Sequence, residues 1–234
     1  MIDFPKMMWI SQHTIRFAFN EEISQQSFLA VQQFNTFICK KLHHSIMESV
    51  PSYYTVTVFL KKRPSLNYET LVEQWRLYQT ARMNEQPSIR RELSIPICYD
   101  EEFALDMERV MEVTHLSYDE IISSHISKPY SVHLVGFLPG FPYLGELDQP
   151  LHVPRLEKPR KLVEASSVGI GGYQTGIYPI DSPGGWNIIG KTPYTLFDVT
   201  QDEPTLFQVG DRVTFYEITK QEFYKFVQEK ACCK

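Results

Sequence analysis

The sequence predicts an α+β protein in two parts, a small α/β sandwich followed by a β-barrel or sandwich. Three observations lead there. Glycine is absent before Gly136, and every glycine except Gly210 falls between Gly136 and Gly190. The glycine-free part alternates short runs of period two with longer runs of helical period, as a sheet covered by helices does. The glycine-rich part is a series of short β-branched and aromatic runs punctuated by Gly and Pro, the pattern of an all-β architecture. With 234 residues, 43% of them hydrophobic and 22% charged, the chain can build a real core without disulfide or metal staples.

The first part reads element by element. In "HTIRFAF" the side chains of Ile15, Phe17 and Phe19 share one face, which makes it a strand. Phe28, Val31, Phe34, Ile38 and Leu42 recur at helical spacing and predict a helix from about Ser24 to Leu42. "SIMESV" is a short strand, Pro51-Ser52 turns the chain, and "YYTVTVFL" is a β-branched, aromatic strand. A second helix runs from about Asn67, its N-cap, to Met83, burying Leu71, Val72, Trp75 and Tyr78. "NEQPSIR" is a linker, and "LSIPICY" is a strand with Leu93, Ile95, Ile97 and Tyr99 on one side. Strand, helix, strand, strand, helix, strand is the ferredoxin-like order. We assign the last strand to the second part, so the expected domains are 1–87 and 88–228, with 229–234 a flexible tail.

The second part opens with a helix over about Glu101 to Val113. A further helix starts at the capping box Ser117-x-x-Glu120 and carries Ile121, Ile122, His125 and Ile126 near one face. "YSVHLVGF" is a strand that runs into "GFLPGFPYLG". Short strands follow in "SVGIGG", "GIYPI", "WNIIG", "YTLFDV", "TLFQV" and "DRVTFYEI", and a last helix opens at Thr219-x-x-Glu222.

Composition excludes several function classes. Net charge is −5 with no basic stripe, which argues against nucleic acid as a partner. No apolar run approaches the roughly 18 residues that span a bilayer, and no basic-then-apolar leader opens the chain, so a cytoplasmic protein away from the membrane is expected. Cys39, Cys98, Cys232 and Cys233 form no C-x-x-C and have no histidine at ligand spacing, so no metal site is expected.

Two stretches carry candidate chemistry. In "GFLPGFPYLG", Pro139 and Pro142 stiffen a loop that Gly136, Gly140 and Gly145 let turn, and Phe137, Phe141 and Tyr143 would line a pocket or a partner groove. The segment "SSVGIGGYQTGIYPIDSPGGWNIIG" looks like a phosphate loop but lacks the spacing. Gly190-Lys191-Thr192 has no glycine correctly placed before it, and Gly169-x-Gly171-Gly172 is followed by no helix. Its glycines instead shape turns and admit a close approach to the backbone, with Ser167, Gln174, Thr175, Tyr178 and Trp186 interleaved as barrel core or pocket wall. Arg155 and Arg160 in "VPRLEKPR" sit beside prolines, and rigid arginines suit carboxylate or phosphate recognition. His125 is either a satisfied, half-buried histidine or a base.

These stretches, together with "EPTLFQVGDRVTFYEI", closely resemble the allophanate hydrolase subunit 1 family, most densely from about Ser94 to Ile218. The resemblance implies a small α/β sandwich followed by a cyclophilin-like β-barrel. It also implies that this chain is the B subunit of a 5-oxoprolinase, with the C subunit as its direct partner and the A subunit completing the set. Together they would open 5-oxo-L-proline to L-glutamate with ATP and Mg²⁺, this chain being inactive alone. The family includes an inhibitor of a sporulation kinase, so docking on a sensor histidine kinase is the alternative. ATP would activate the lactam oxygen by phosphorylation. On that reading Arg155 or Arg160 and the backbone of Ser167–Gly172 receive the phosphoryl group, and His125 serves as base or supports the pocket. The chain departs from the family in "YDEEFALDM", where relatives carry a glycine-rich "YGG…GPD", in Ser166-Ser167 where they carry "GSVGI", and at Tyr173, where proline is common.

Overall fold

The structure, a computed structural model, describes residues 2–19, 24–81 and 91–232. Contacts divide the chain into two units, Met1–Ser88 and Ile89–Lys234. The expected linker around Pro87, the end of the second helix at Met83 and Cys233 lie outside the described residues.

The first unit contains β1 (Lys6–Ser11), β2 (Thr14–Ala18), α1 (Gln25–Lys41), β3 (Ile46–Pro51), β4 (Thr55–Leu60) and α2 (Tyr68–Ala81). The strands form one antiparallel sheet in the order β1-β2-β4-β3. Ile15, Phe17, Val56 and Val58 are fully buried among Val31, Phe34 and Ile38 of α1 and Leu71 and Trp75 of α2. Phe34 sits at the centre, its ring 4.8 Å from Phe17 and 5.2 Å from Trp75. Both helices start as the sequence suggests, with the Ser24 hydroxyl accepting from the Ser27 N–H and Asn67 Oδ1 from the Thr70 N–H. The order departs from the ferredoxin-like pattern. A strand absent from the expectation, β1, lies beside β2, on the flank where the closing strand of that pattern would pair. "LSIPICY" is therefore free to belong to the second unit, where it is found.

The second unit comprises β5 (Glu92–Ile97), α3 (Met107–Thr114), α4 (Tyr118–Ile126), β6 (Tyr130–Val135), β7 (Pro142–Gly145), a 3-10 turn (Gln149–Leu151), β8 (Arg160–Val163), β9 (Ser167–Gly171), β10 (Gln174–Ile177), β11 (Ser182–Gly184), β12 (Asn187–Lys191), β13 (Arg212–Glu217) and α5 (Lys220–Cys232). Seven strands form one sheet, β12-β9-β10-β7-β6-β13-β5, antiparallel except for β13 with β5. Its two edges meet. The Cys98 N–H donates to the Lys191 carbonyl at 2.9 Å and the Lys191 N–H to the Cys98 carbonyl at 2.9 Å. The sheet thus curls into the expected barrel, and closure removes the exposed edges that invite aggregation. Ile95, Ile97, Val132, Leu144, Val168, Ile170, Ile177, Ile189, Val213 and Phe215 fill it.

Several elements differ from expectation. The first helix begins at Met107 rather than Glu101, because residues 100–106 turn instead. "YTLFDV" and "TLFQV" form no strands and share only the bridge between Phe197 and Thr205, where Asp198 Oδ1 accepts from the Thr200 N–H and folds the chain back. The helix α5 continues through Cys232, into the segment expected to be a tail. The acidic "YDEEFALDM" packs on that helix: Lys220 bonds Asp100 at 3.2 Å and Glu102 at 2.5 Å, and Phe103 meets Phe223 at 4.5 Å.

Candidate functional site

Strand β9 has two faces of different character. Val168 and Ile170 point into the barrel core, while Gly169 and Gly171 face the other way. On that outer face lies the indole of Trp186. A Cβ added to Gly171 would stand 3.1 Å from the ring, and one added to Gly169 would stand 3.2 Å from the Trp186 Cβ. Gly184 does the same for Tyr178, whose ring an added Cβ would overlap at 2.7 Å. Gly171, Gly176 and Gly184 are therefore sockets for aromatic rings, of Trp186, Phe141 and Tyr178. Gly184→Ala is expected to destabilise the barrel unit by about 1–3 kcal/mol through overpacking, measurable by urea denaturation.

The rings so seated form a second apolar cluster outside the barrel core: Phe141, Val163, Tyr178, Trp186 and Ile188, with Leu138 and Tyr143 at its margin. Phe141 is central, 4.9 Å from Tyr143, 5.1 Å from Tyr178 and 5.5 Å from Trp186, the last two edge-to-face. The loop that delivers it is closed by the Gly136 N–H on the Phe141 carbonyl and the Phe141 N–H on the Leu138 carbonyl, with Pro139 exposed at its tip. Phe137 has φ +70°, the left-handed region that a bulky residue rarely adopts, and it leaves its ring 65% exposed.

The two arginines have different fates. Arg160 makes a two-pronged pair with Asp106, at 2.8 and 2.6 Å, and the same buried carboxylate accepts the Ile188 N–H at 2.7 Å. Arg160 recognises a carboxylate, as its type suggests, but it is one of the protein's own. Arg155 is exposed, with its guanidinium carbon 5.6 Å from the centroid of Trp186, and no carboxylate among the described residues pairs with it. Burial pushes the Tyr143 hydroxyl up, and the Arg155 charge partly offsets it. Burial likewise pushes up Tyr178, opposed by the backbone N–H of Trp186 donated to it and by Arg155.

The remaining candidates lie elsewhere. His125 is fully buried in the barrel interior, stacked on Phe215 at 4.9 Å. Thr175 donates to the Gly169 carbonyl at 3.1 Å, so its oxygen accepts from His125 Nε2 at 2.8 Å, and His125 Nδ1 accepts from the Tyr99 hydroxyl at 2.7 Å. Every member of this chain of bonds is satisfied with the imidazole neutral, and burial lowers its pKa to about 3. Ser167 and Gln174 are buried strand residues. β9 is paired on both sides, with β12 and β10, and the Gly172 N–H donates to Val153 at 2.8 Å. The Ser167–Gly172 backbone is thus committed to the sheet rather than presented to an anion.

The structure therefore brings Phe137, Phe141, Tyr143, Arg155, Tyr178 and Trp186 together, with Gly169 and Gly171 beneath and Arg160 beside. It leaves His125 and Thr175 on the other side of the wall. Sequence reasoning missed Asp106, and it named Asn187 only as one of the polar groups interleaved in the glycine-rich segment. Asn187 Nδ2 donates to the Pro154 and Ile170 carbonyls, both at 3.1 Å, and so anchors the segment that carries Arg155. The cradle does not fit a nucleotide: the Ser167–Gly172 backbone is committed to the sheet, and no cluster of three metal-ligating side chains exists among the described residues.

A barrel of this topology joined to a small α/β unit, with an aromatic cradle on its wall, defines a class. The model of the carboxyltransferase domain, subdomain C and D, matches residues 5–207, and the chain belongs to that family, the one its motifs resemble under the name allophanate hydrolase subunit 1. It is 37% identical over 223 residues to the 5-oxoprolinase B subunit of Bacillus subtilis (strain 168), covering 90% of this chain and 92% of that one. It is 41% identical over 171 residues to the 5-oxoprolinase B subunit of Escherichia coli O157:H7, covering 73% and 78%. Among solved structures, TTHA0988 matches with a TM-score of 0.72 at 29% identity over 88% of this chain, which spans only 40% of that longer chain.

Proposed function

We propose that this chain is the B subunit of an ATP-dependent 5-oxoprolinase, acting in the cytoplasm with the C and A subunits and inactive alone. The observation that carries this is the match to the Bacillus subtilis protein along nearly the whole of both chains. The exposed Arg155 with the half-buried Tyr143 beside it supports it, since a cation next to an apolar ring suits a small cyclic amide that carries a carboxylate. ATP and Mg²⁺ are assigned to the assembled complex, because the cradle lacks the groups to hold them. His125 is not the base on this reading; it positions β9 and β10 from within the barrel. The relatives described above are named for an enzyme, which favours this function over docking on a histidine kinase.

Reconstitution tests it. The three purified subunits with 5-oxoproline, ATP and Mg²⁺ are expected to release glutamate, and this chain alone none. A silent mixture, with inhibition of kinase autophosphorylation by this chain, would reverse the assignment.

A further inference from the structure

Arg155 is held more firmly than an exposed arginine usually is. The carbonyl of Pro154, just before it, accepts from Asn187 Nδ2 at 3.1 Å. The N–H of Leu156, just after it, donates to the Gly185 carbonyl at 2.7 Å. Both flanking peptides are thus fixed to the barrel wall, and the guanidinium lies over an indole that is itself buried in a glycine socket. A cation held in place without a counter-charge is pre-organised for one.

We propose that Arg155 binds the carboxylate of the substrate, and that the ring of the substrate lies against the half-buried Tyr143 beside it. This rests on the 5-oxoprolinase reading above. The charge of the site selects the ligand. A single guanidinium matches a monoanion, and its planar fork fits a carboxylate with two parallel hydrogen bonds. A triphosphate would need further cations or free backbone N–H groups, and the neighbouring cations are engaged: Arg160 by Asp106, and Arg109 by Asn187 Oδ1 at 2.7 Å and the Pro154 carbonyl at 3.5 Å. The apolar edge of a five-membered lactam is suited to the accessible ring of Tyr143, at the margin of the buried cluster around Phe141. The role expected from the sequence, support of a transferred phosphoryl group, thus gives way to recognition of a part of the substrate that does not react.

A group that binds the non-reacting end equally in ground and transition states changes KM more than kcat. In the reconstituted complex Arg155→Ala is expected to raise KM for 5-oxoproline roughly 30-fold with kcat within about threefold, the loss of one charge-assisted, two-pronged contact. Arg155→Lys, which keeps the charge and loses the fork, should fall between. Discrimination between 5-oxoproline and its carboxamide should vanish in the alanine variant. A second measurement needs no turnover. Trp186 fluorescence of the chain alone is titrated with 5-oxoproline and with the carboxamide, and Trp186→Phe separates its signal from those of Trp9 and Trp75. Quenching by the acid, lost in Arg155→Ala, supports the assignment. An unchanged KM in a working complex, or failure of the complex to assemble on size exclusion with Arg155→Ala, overturns it and leaves the 5-oxoprolinase reading intact. A silent wild-type complex overturns that reading instead, and the titration still decides whether Arg155 takes a carboxylate.

Discussion

Between pH 7 and pH 5 the barrel unit is expected to lose on the order of 4 kcal/mol of stability through two buried histidines. Burial lowers His125 to about 3 and His133 to about 4. In the unfolded chain both titrate near the ordinary 6.5. Between those values the unfolded state binds protons that the folded state refuses, so acid favours unfolding. The contribution is fully present above pH 6.5 and is lost as pH falls toward the folded values. Each histidine then contributes about 1.4 kcal/mol per pH unit, or roughly 2 kcal/mol by pH 5. Urea denaturation at pH 7, 6 and 5 measures it. His125→Gln keeps one donor for Thr175 and one acceptor for Tyr99. It is expected to lower stability at pH 7 by about 1–3 kcal/mol but to halve the acid slope. An unchanged slope in that variant would show that His125 is not the buried neutral group described here. The same burial bears on mechanism. A base that titrates near 3 inside the barrel gives no inflection near neutrality in the pH–rate profile of the assembled enzyme.

The parts of the fold that were legible are those in which one face of an element is buried. Ile15 and Phe17, or Phe34 and Ile38, announce their strand and helix because the alternating or helical stripe is complete. β1 was not legible, because in "KMMWIS" no residue is fully buried and its turn has neither glycine nor asparagine. The aromatic loop and the glycine-rich segment stood out in the sequence, but not how they fit together. Spacing alone leaves a glycine free to turn, to admit a ligand or to seat a ring. Register decides: β9 is paired on both sides, and its outward positions lie under Trp186. The fates of His125 and Arg160 were hidden for a related reason. Their partners Tyr99, Thr175 and Asp106 stand 26, 50 and 54 residues away, and only the barrel brings them together. A residue type states what it can bind; the fold states whether the protein has already supplied it.

That distinction gives the second large effect, at Asp106. Asp106→Ala is expected to destabilise the barrel unit by about 3 kcal/mol, measured by thermal or urea denaturation. Two losses combine. Arg160 forfeits a two-pronged partner, and the buried Ile188 N–H forfeits its acceptor. The lower end of the range for buried pairs applies, because the Arg160 side chain remains 28% exposed and water can partly replace the carboxylate. Ile188 packs with Trp186 and Phe141, so the effect should also reach the cradle as a shift in Trp186 emission. Arg160→Ala alone should be milder, since the carboxylate it leaves behind keeps its bond from the Ile188 N–H. The double variant should fall well short of the sum of the two, and the difference measures the coupling of the pair. If the two losses simply add, Arg160 and Asp106 act independently and the pair does not hold β8 against the barrel. If Asp106→Ala changes stability by less than about 1 kcal/mol, the contact is no stronger than an exposed ion pair. Arg160 would then be as available to a ligand as Arg155, and the assignment of a single cation to the cradle would fall with it.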